Sequence, residues 1–218
     1  ENDFEKERKV VLQERLLRTD DNPSGLAYEA LLAQSFMASP VRRPIIGWRN
    51  DIESLTTNDA IEWYKTWYVP NNTTIIIAGD VDPNQILEWT REFYGDAKKI
   101  TPPQRKPQLE PDQKGQRRLV LKANAKNKFI MKLWKAPVIS PSSGPLEYSN
   151  KNAREVLALG VLSSLMSDRD TGILIKKLVR ENRKAISIST GSSWMSRGPG
   201  YFVIEATPAS SVGLQELE

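Results

Sequence analysis

Phe4-Glu5-Lys6-Glu7-Arg8-Lys9-Val10-Val11-Leu12-Gln13-Glu14-Arg15 reads as a helix. Phe4, Val10, Val11 and Leu17 recur at about 3.6 residues per turn and fall on one side. Glu7 and Glu14 are about two turns apart, in the same arc as Val10 and Val11, while Lys6, Lys9 and Gln13 point the other way. A solvated helix keeps its acids on the polar face. A carboxylate turned inward loses hydration and needs a cation, a metal or hydrogen-bond donors. The spacing leaves two readings, a structural salt bridge to an Arg or Lys and a functional pair of acids.

Outward from this helix, Asp3 reads as its cap and Thr19-Asp20-Asp21-Asn22-Pro23 as its stop. A second helix is predicted from Gly25 to Met37, ended by Ala38-Ser39-Pro40, with Val41 to Glu53 irregular. Thr56 or Thr57 caps a helix carrying Ile61, Trp63, Tyr64 and Trp67, aromatics that read as core or interface packing. Thr73-Thr74-Ile75-Ile76-Ile77-Ala78 is β-branched and reads as a buried strand. Asp82-Pro83 starts a helix that ends at Gly95. Gly79-Asp80-Val81-Asp82 lacks the alternating acids of a calcium loop and the glycines of a phosphate loop, so it is a turn.

Ala97 to Gly115 is rich in Pro, Lys and Gln and reads as a linker. Beyond it, Arg118 to Lys122 and Phe129 to Trp134 read as strands, and Ser140 to Pro145 as a loop. Asn150 to Met166 and Gly172 to Arg180 read as helices, and Ala185 to Thr190 and Tyr201 to Thr207 as strands. Ser210-Ser211 looks like a final helix cap. Strands mixed with helices, with no β-α-β repeat and no glycine fingerprint, predict an α+β fold, a two-layer sandwich of helices on a mostly antiparallel sheet.

Composition narrows the chemistry. The chain has 218 residues, 39% of them hydrophobic, enough for one large domain or two small ones. No apolar run approaches the roughly 20 residues of a membrane span. Zero Cys excludes disulfides and thiolate chemistry. Zero His removes the commonest zinc ligand, the usual general base and any Ser-His-Asp triad. The net charge of +4 is concentrated between Lys98 and Lys135. Aromatics for base stacking are not interleaved there, so a solvated basic linker is expected and a nucleic-acid partner is not. Glu1 is not a natural start, and further polypeptide is expected upstream of it.

Several stretches recur in one order: Glu7 and Glu14 within E-x-x-V-x-x-E, Asp21-Asn22-Pro23, Pro44-Ile45-Ile46-Gly47, Tyr68-Val69-Pro70-Asn71-Asn72 and Ala78-Gly79-Asp80-Val81. In that order and spacing the chain resembles the inverzincin zinc metallopeptidases, the family of pitrilysin, insulin-degrading enzyme and the mitochondrial processing peptidase with its bacterial relatives. In that family an H-x-x-E-H helix supplies two His ligands to zinc and a Glu base that acts through a metal-activated water. The resemblance implies that Glu14 is the third zinc ligand and Glu7 an acid supporting the metal from behind the ligands. It implies the processing-peptidase-like metallohydrolase fold in partial domains. Residues 1–97 would be the later part of an N-terminal peptidase-like domain, 98–116 the linker, and 117–218 the first part of an inactive-type C-terminal domain. It implies a parent zinc endopeptidase acting on peptide or protein substrates, in a bacterial periplasm or cytoplasm, alone or with a related peptidase subunit.

This segment would itself be inactive and would bind no zinc, for want of the histidines. In active relatives an Arg on a helix and a Tyr about two turns later reach the substrate carbonyl. Arg180 matches the Arg and is implied as substrate-binding, or it only complements a helix dipole. The Tyr position falls on Ile186, or on Ser187 with a one-residue shift, and Tyr201 is a possible substitute. Two other readings are a non-catalytic partner subunit that shapes a substrate chamber and a basic nucleic-acid-binding module.

Overall fold

The computed structural model describes residues 2–140 and 150–218. The predicted loop from Ser140 to Pro145 therefore lies, from Pro141 on, outside the described residues. Helices α1 (Asn2–Arg15), α2 (Pro23–Ser35), α3 (Arg49–Ser54), α4 (Thr57–Trp67) and α5 (Pro83–Tyr94) precede strand β1 (Ile130–Ala136). Helix α6 (Lys151–Ser167), strands β2 (Ala185–Ser192) and β3 (Gly200–Pro208), and a short α7 (Leu214–Leu217) complete the order. Two π-helical segments, Leu16–Asp20 and Ile175–Glu181, continue α1 and precede β2. The architecture is α+β, as the sequence predicts.

The chain forms two compact units that interleave in sequence. The first holds Glu1–Leu12 and Arg49–Pro107, and the second holds Gln13–Trp48 and Gln108–Glu218.

In the first unit the caps are where the residue types put them. Thr56 and Asp59 form a reciprocal capping box at the start of α4, which settles the cap on Thr56. Asp82 accepts from the N–H groups of Asn84 and Gln85, with Pro83 at the first helical position of α5. Three expectations are corrected. Asp3 lies inside α1 and pairs with Lys6 at 3.3 Å instead of capping. The second half of Val41–Glu53 is helical, as α3. Thr73–Ala78 is not a strand, and Ile75, Ile76 and Ile77 are 46%, 85% and 48% exposed. A strand exists only as half of a ladder, and among the described residues of this unit there is no sheet to join. Of the α4 aromatics, Trp63 and Tyr64 are likewise exposed: Trp63 lies tilted against the half-buried Trp67, and Tyr64 stacks on Tyr68.

The second unit is built on a three-stranded antiparallel sheet in the order β1-β3-β2. β3 is central, with Leu133 opposite Val203 on one side and Ile188 opposite Ala206 on the other. Ala185, Ile188 and Ala206 form a buried cluster covered by Leu174, Leu178 and Leu217. A second cluster joins Ile139 to Ala153 and Val156 of α6. Arg118–Lys122, predicted as a strand, is coil beside the open edge of β1. Ser210 and Ser211 do not cap α7, whose N-cap is Gly213.

α2 begins at Asn22, which accepts from the N–H groups of Ser24 and Gly25. Its packing explains Gly25: a Cβ there would lie 2.2 Å from the Arg18 carbonyl oxygen of the π-turn. The expected apolar face of the first helix is not buried, since Val10 is 56% and Leu17 73% exposed. The residue that α1 buries is Arg15. Its guanidinium grips both Glu29 carboxylate oxygens at 2.9 and 3.0 Å, donates to the Gly47 carbonyl at 2.7 Å and lies 3.2 Å from Asp20. The Glu29 hydrogen bond outweighs burial and raises the Arg15 pKa, keeping the cation charged.

Removing one partner of a buried ion pair leaves an uncompensated charge, so Arg15→Ala is expected to cost about 3–5 kcal/mol in chemical denaturation. Arg18→Ala, which breaks only the half-exposed Arg18–Glu14 pair, is expected to cost under about 1 kcal/mol. Equal costs would show that Arg15 does not fasten the π-turn and α2.

Candidate functional site

Glu14 lies near the end of α1, and its carboxylate is 3.0 Å from the Arg18 guanidinium one turn later. Both side chains are substantially exposed, so the pair is a surface one, and the carboxylate keeps solvent access. Glu7, in the first unit, is exposed. Neither acid is turned into a core in this structure. Among the described residues there is no group of three or more His, Cys, Asp or Glu placed to hold a metal ion. With no His or Cys in the chain, the donors near Glu14 do not make a zinc site by themselves.

Arg180 sits in the π-helical segment before β2. Its guanidinium donates to the carbonyl oxygens of Arg169 and Asp170 at 2.8 and 2.9 Å, and the Asp170 carboxylate lies 3.6 Å away. The side chain is thus folded back over the turn that follows α6. That turn is closed by Asp168, which accepts from the N–H groups of Asp170 and Thr171.

β2 enters the sheet through a bulge: Ala185 faces Pro208 and Ser187 faces Thr207, leaving Ile186 as the extra residue. Consecutive strand residues normally point to opposite faces, but here Ile186 and Ser187 are both exposed. The one-residue ambiguity at the expected Tyr position therefore falls on a bulge, and neither occupant is a phenol. Tyr201, one residue into β3, points elsewhere: its hydroxyl bonds to that of Tyr28 on α2. Burial, and then the Tyr201 hydrogen bond, raise the Tyr28 pKa well above its ordinary value.

A groove of about 1020 Å³ lies along β1, lined by Ala27 and Leu31 of α2, by Leu133 and Trp134, and by Val120 of the unpaired coil. Sequence reasoning did not find Arg15, Glu29, Tyr28 or this groove. A buried Arg on an otherwise charged helix has no local signal, because its partners come from other turns of the chain.

Residues 54–218 match the family model described as the peptidase M16 inactive domain. A relative, the zinc protease PqqE of Helicobacter pylori, is 27% identical over 191 residues, covering 85% of this chain and 40% of that protein. The uncharacterized zinc protease YmfH of Bacillus subtilis is 35% identical over 95 residues, 44% of this chain and 22% of that protein. Among solved structures, a protease from Helicobacter pylori superposes with a TM-score of 0.83 at 24% identity, covering all of this chain and 50% of that one. The periplasmic protease PqqL from Escherichia coli has a TM-score of 0.62 at 15% identity, over 94% of this chain and 22% of that one. The chain thus spans half or less of the length of these relatives.

The Tyr28–Tyr201 pair makes a pH prediction. A folded pKa raised above the ordinary 10.0 means that the contribution of Tyr28 to stability is complete below that value and is lost as pH rises beyond it. Ultraviolet titration should show a late tyrosine ionisation that is absent in Tyr28→Phe and shifted down in Tyr201→Phe. A Tyr28→Phe curve that keeps the late step would contradict the assignment.

Proposed function

The chain belongs to the peptidase M16 family, and from this we propose that it is a non-catalytic segment of a longer zinc metalloendopeptidase. The observation that carries the reading is the match of residues 54–218 to the inactive domain, in a chain whose relative over 85% of its length is a zinc protease. In the proposed parent, residues 1–97 are the later part of the peptidase-like domain, 98–116 the linker and 117–218 the start of the inactive-type domain. Glu14, near the C-terminal end of α1 and open to solvent, would provide one anionic zinc ligand. Glu7 would act behind the ligands. The two histidines would come from outside this sequence, which contains none, and this segment alone would hold no zinc.

The proposed partners are a peptide or protein substrate and a related peptidase subunit, and the proposed compartment is the bacterial periplasm or cytoplasm. No helix among the described residues is long and apolar enough to cross a membrane. A second reading, the partner subunit without activity of its own, is favoured by one feature. The position expected for a hydrogen-bonding Tyr holds Ile186 or Ser187 on a bulge, and Arg180 is engaged by its own turn.

The test is metal content in the full-length protein. Glu14→Gln is expected to lower zinc affinity strongly, by direct loss of a charged ligand. Glu7→Gln is expected to lower it less, at about 10–100-fold. Equal and negligible effects would contradict the zinc roles of both acids and leave Glu14 with only its surface pairing to Arg18.

A further inference from the structure

Pro, Lys and Gln content predicts a solvated linker over Ala97–Gly115, yet Glu110 within it and Arg117 just beyond it are fastened to the chain around the end of α2. The Glu110 side chain is only 7% exposed. Its carboxylate accepts the backbone N–H groups of Met37, Ala38 and Ser39, at 2.8, 2.9 and 2.9 Å. The Lys135 ammonium on β1 donates to it at 2.7 Å and also lies over the Phe36 ring. Further along, the Arg117 guanidinium donates to the carbonyl oxygens of Gln34 and Ser35. One short piece of backbone therefore receives a carboxylate on its donors and a guanidinium on its acceptors.

Physical chemistry makes this more than a loop contact. α2 ends at Ser35, so the N–H groups of residues 37–39 are free of the helix and converge on one point. Successive backbone N–H groups arranged this way form a concavity for an anion, and an ammonium beside it adds charge. Burial alone would raise the Glu110 pKa, but the Lys135 hydrogen bond and the three N–H groups bring it down to about 2. Without an anion, those donors would exchange charge-assisted hydrogen bonds for weaker ones to water at the rim. Met37 and Ala38 are exposed, so the rim is open to a small solute.

We propose that the Met37–Ser39 turn and Lys135 form a carboxylate-binding cradle, that Glu110 is its resident ligand within the chain, and that Gln108–Arg117 is thereby a fastened strap rather than a free linker.

The test is chemical rescue in the full-length protein. Glu110→Ala should lower the melting temperature by about 5 °C or more, from the loss of several charge-assisted hydrogen bonds. It should also speed tryptic cleavage after Lys114. Sodium formate or acetate should restore both, beyond sodium chloride at equal ionic strength, and Lys135→Met in the same background should abolish the restoration. An unchanged melting temperature and cleavage rate, or equal restoration by chloride, would overturn the proposal. If Glu110→Ala does not fold, Glu110→Gln is assayed instead. Faster cleavage after Lys114 is then expected, and the wild-type rate would overturn the proposal.

Discussion

Phe36 has no exposed surface, and what covers it comes from far along the chain. The Phe36 and Tyr201 rings meet in a T-shaped pair at a centroid separation of 6.3 Å, and the Lys135 ammonium lies 5.5 Å from the centre of the Phe36 ring. Aromatic edges and cations both gain from the electron-rich face of a ring, more so when water is excluded. Around this residue sit the Tyr28–Tyr201 hydroxyl pair, Arg117 on the last carbonyls of α2, and Glu110 on the N–H groups that follow. Each joins the Gln13–Trp48 stretch to the Gln108–Glu218 stretch, and together they make one unit from two distant parts of the chain. The long separation costs little, because loop-closure entropy grows only slowly with length. At the other end of α2, Arg15 gathers Glu29, Asp20 and the Gly47 carbonyl in the same way.

Features fixed by neighbours in sequence were legible. Thr56 with Asp59 and Asp82 with Pro83 are local capping chemistry, and each helix begins there. Asn22-Pro23 carries the same signal for α2 and at the same time ends the helical stretch before it. Features fixed by distant partners were not legible. Thr73–Ala78 and Arg118–Lys122 have the residues of strands, but a strand is defined by the edge it meets, and sequence alone does not supply one. Glu110 falls in a stretch that reads as solvated linker, and Arg15 carries no local signal, because the partners of both lie elsewhere in the chain. Glu7 and Glu14 do recur at helical spacing, yet the face they share with Val10 is open, so periodicity located the face without saying what covers it.

The same contrast bears on function. Family membership rests on residues 54–218, while the acids proposed for zinc lie before that span. The C-terminal half offers a sheet, an Arg bonded into its own turn and a bulge carrying Ile186, which is scaffold more than chemistry. In the proposed parent this chain would add a single carboxylate to a metal centre whose nitrogen ligands would lie elsewhere. Calorimetric titration of the isolated chain with zinc tests that division of labour most directly. The account predicts no binding of submicromolar strength, because carboxylates without imidazole or thiolate make a poor tetrahedral zinc site. Submicromolar binding that disappears in Glu14→Gln would contradict it.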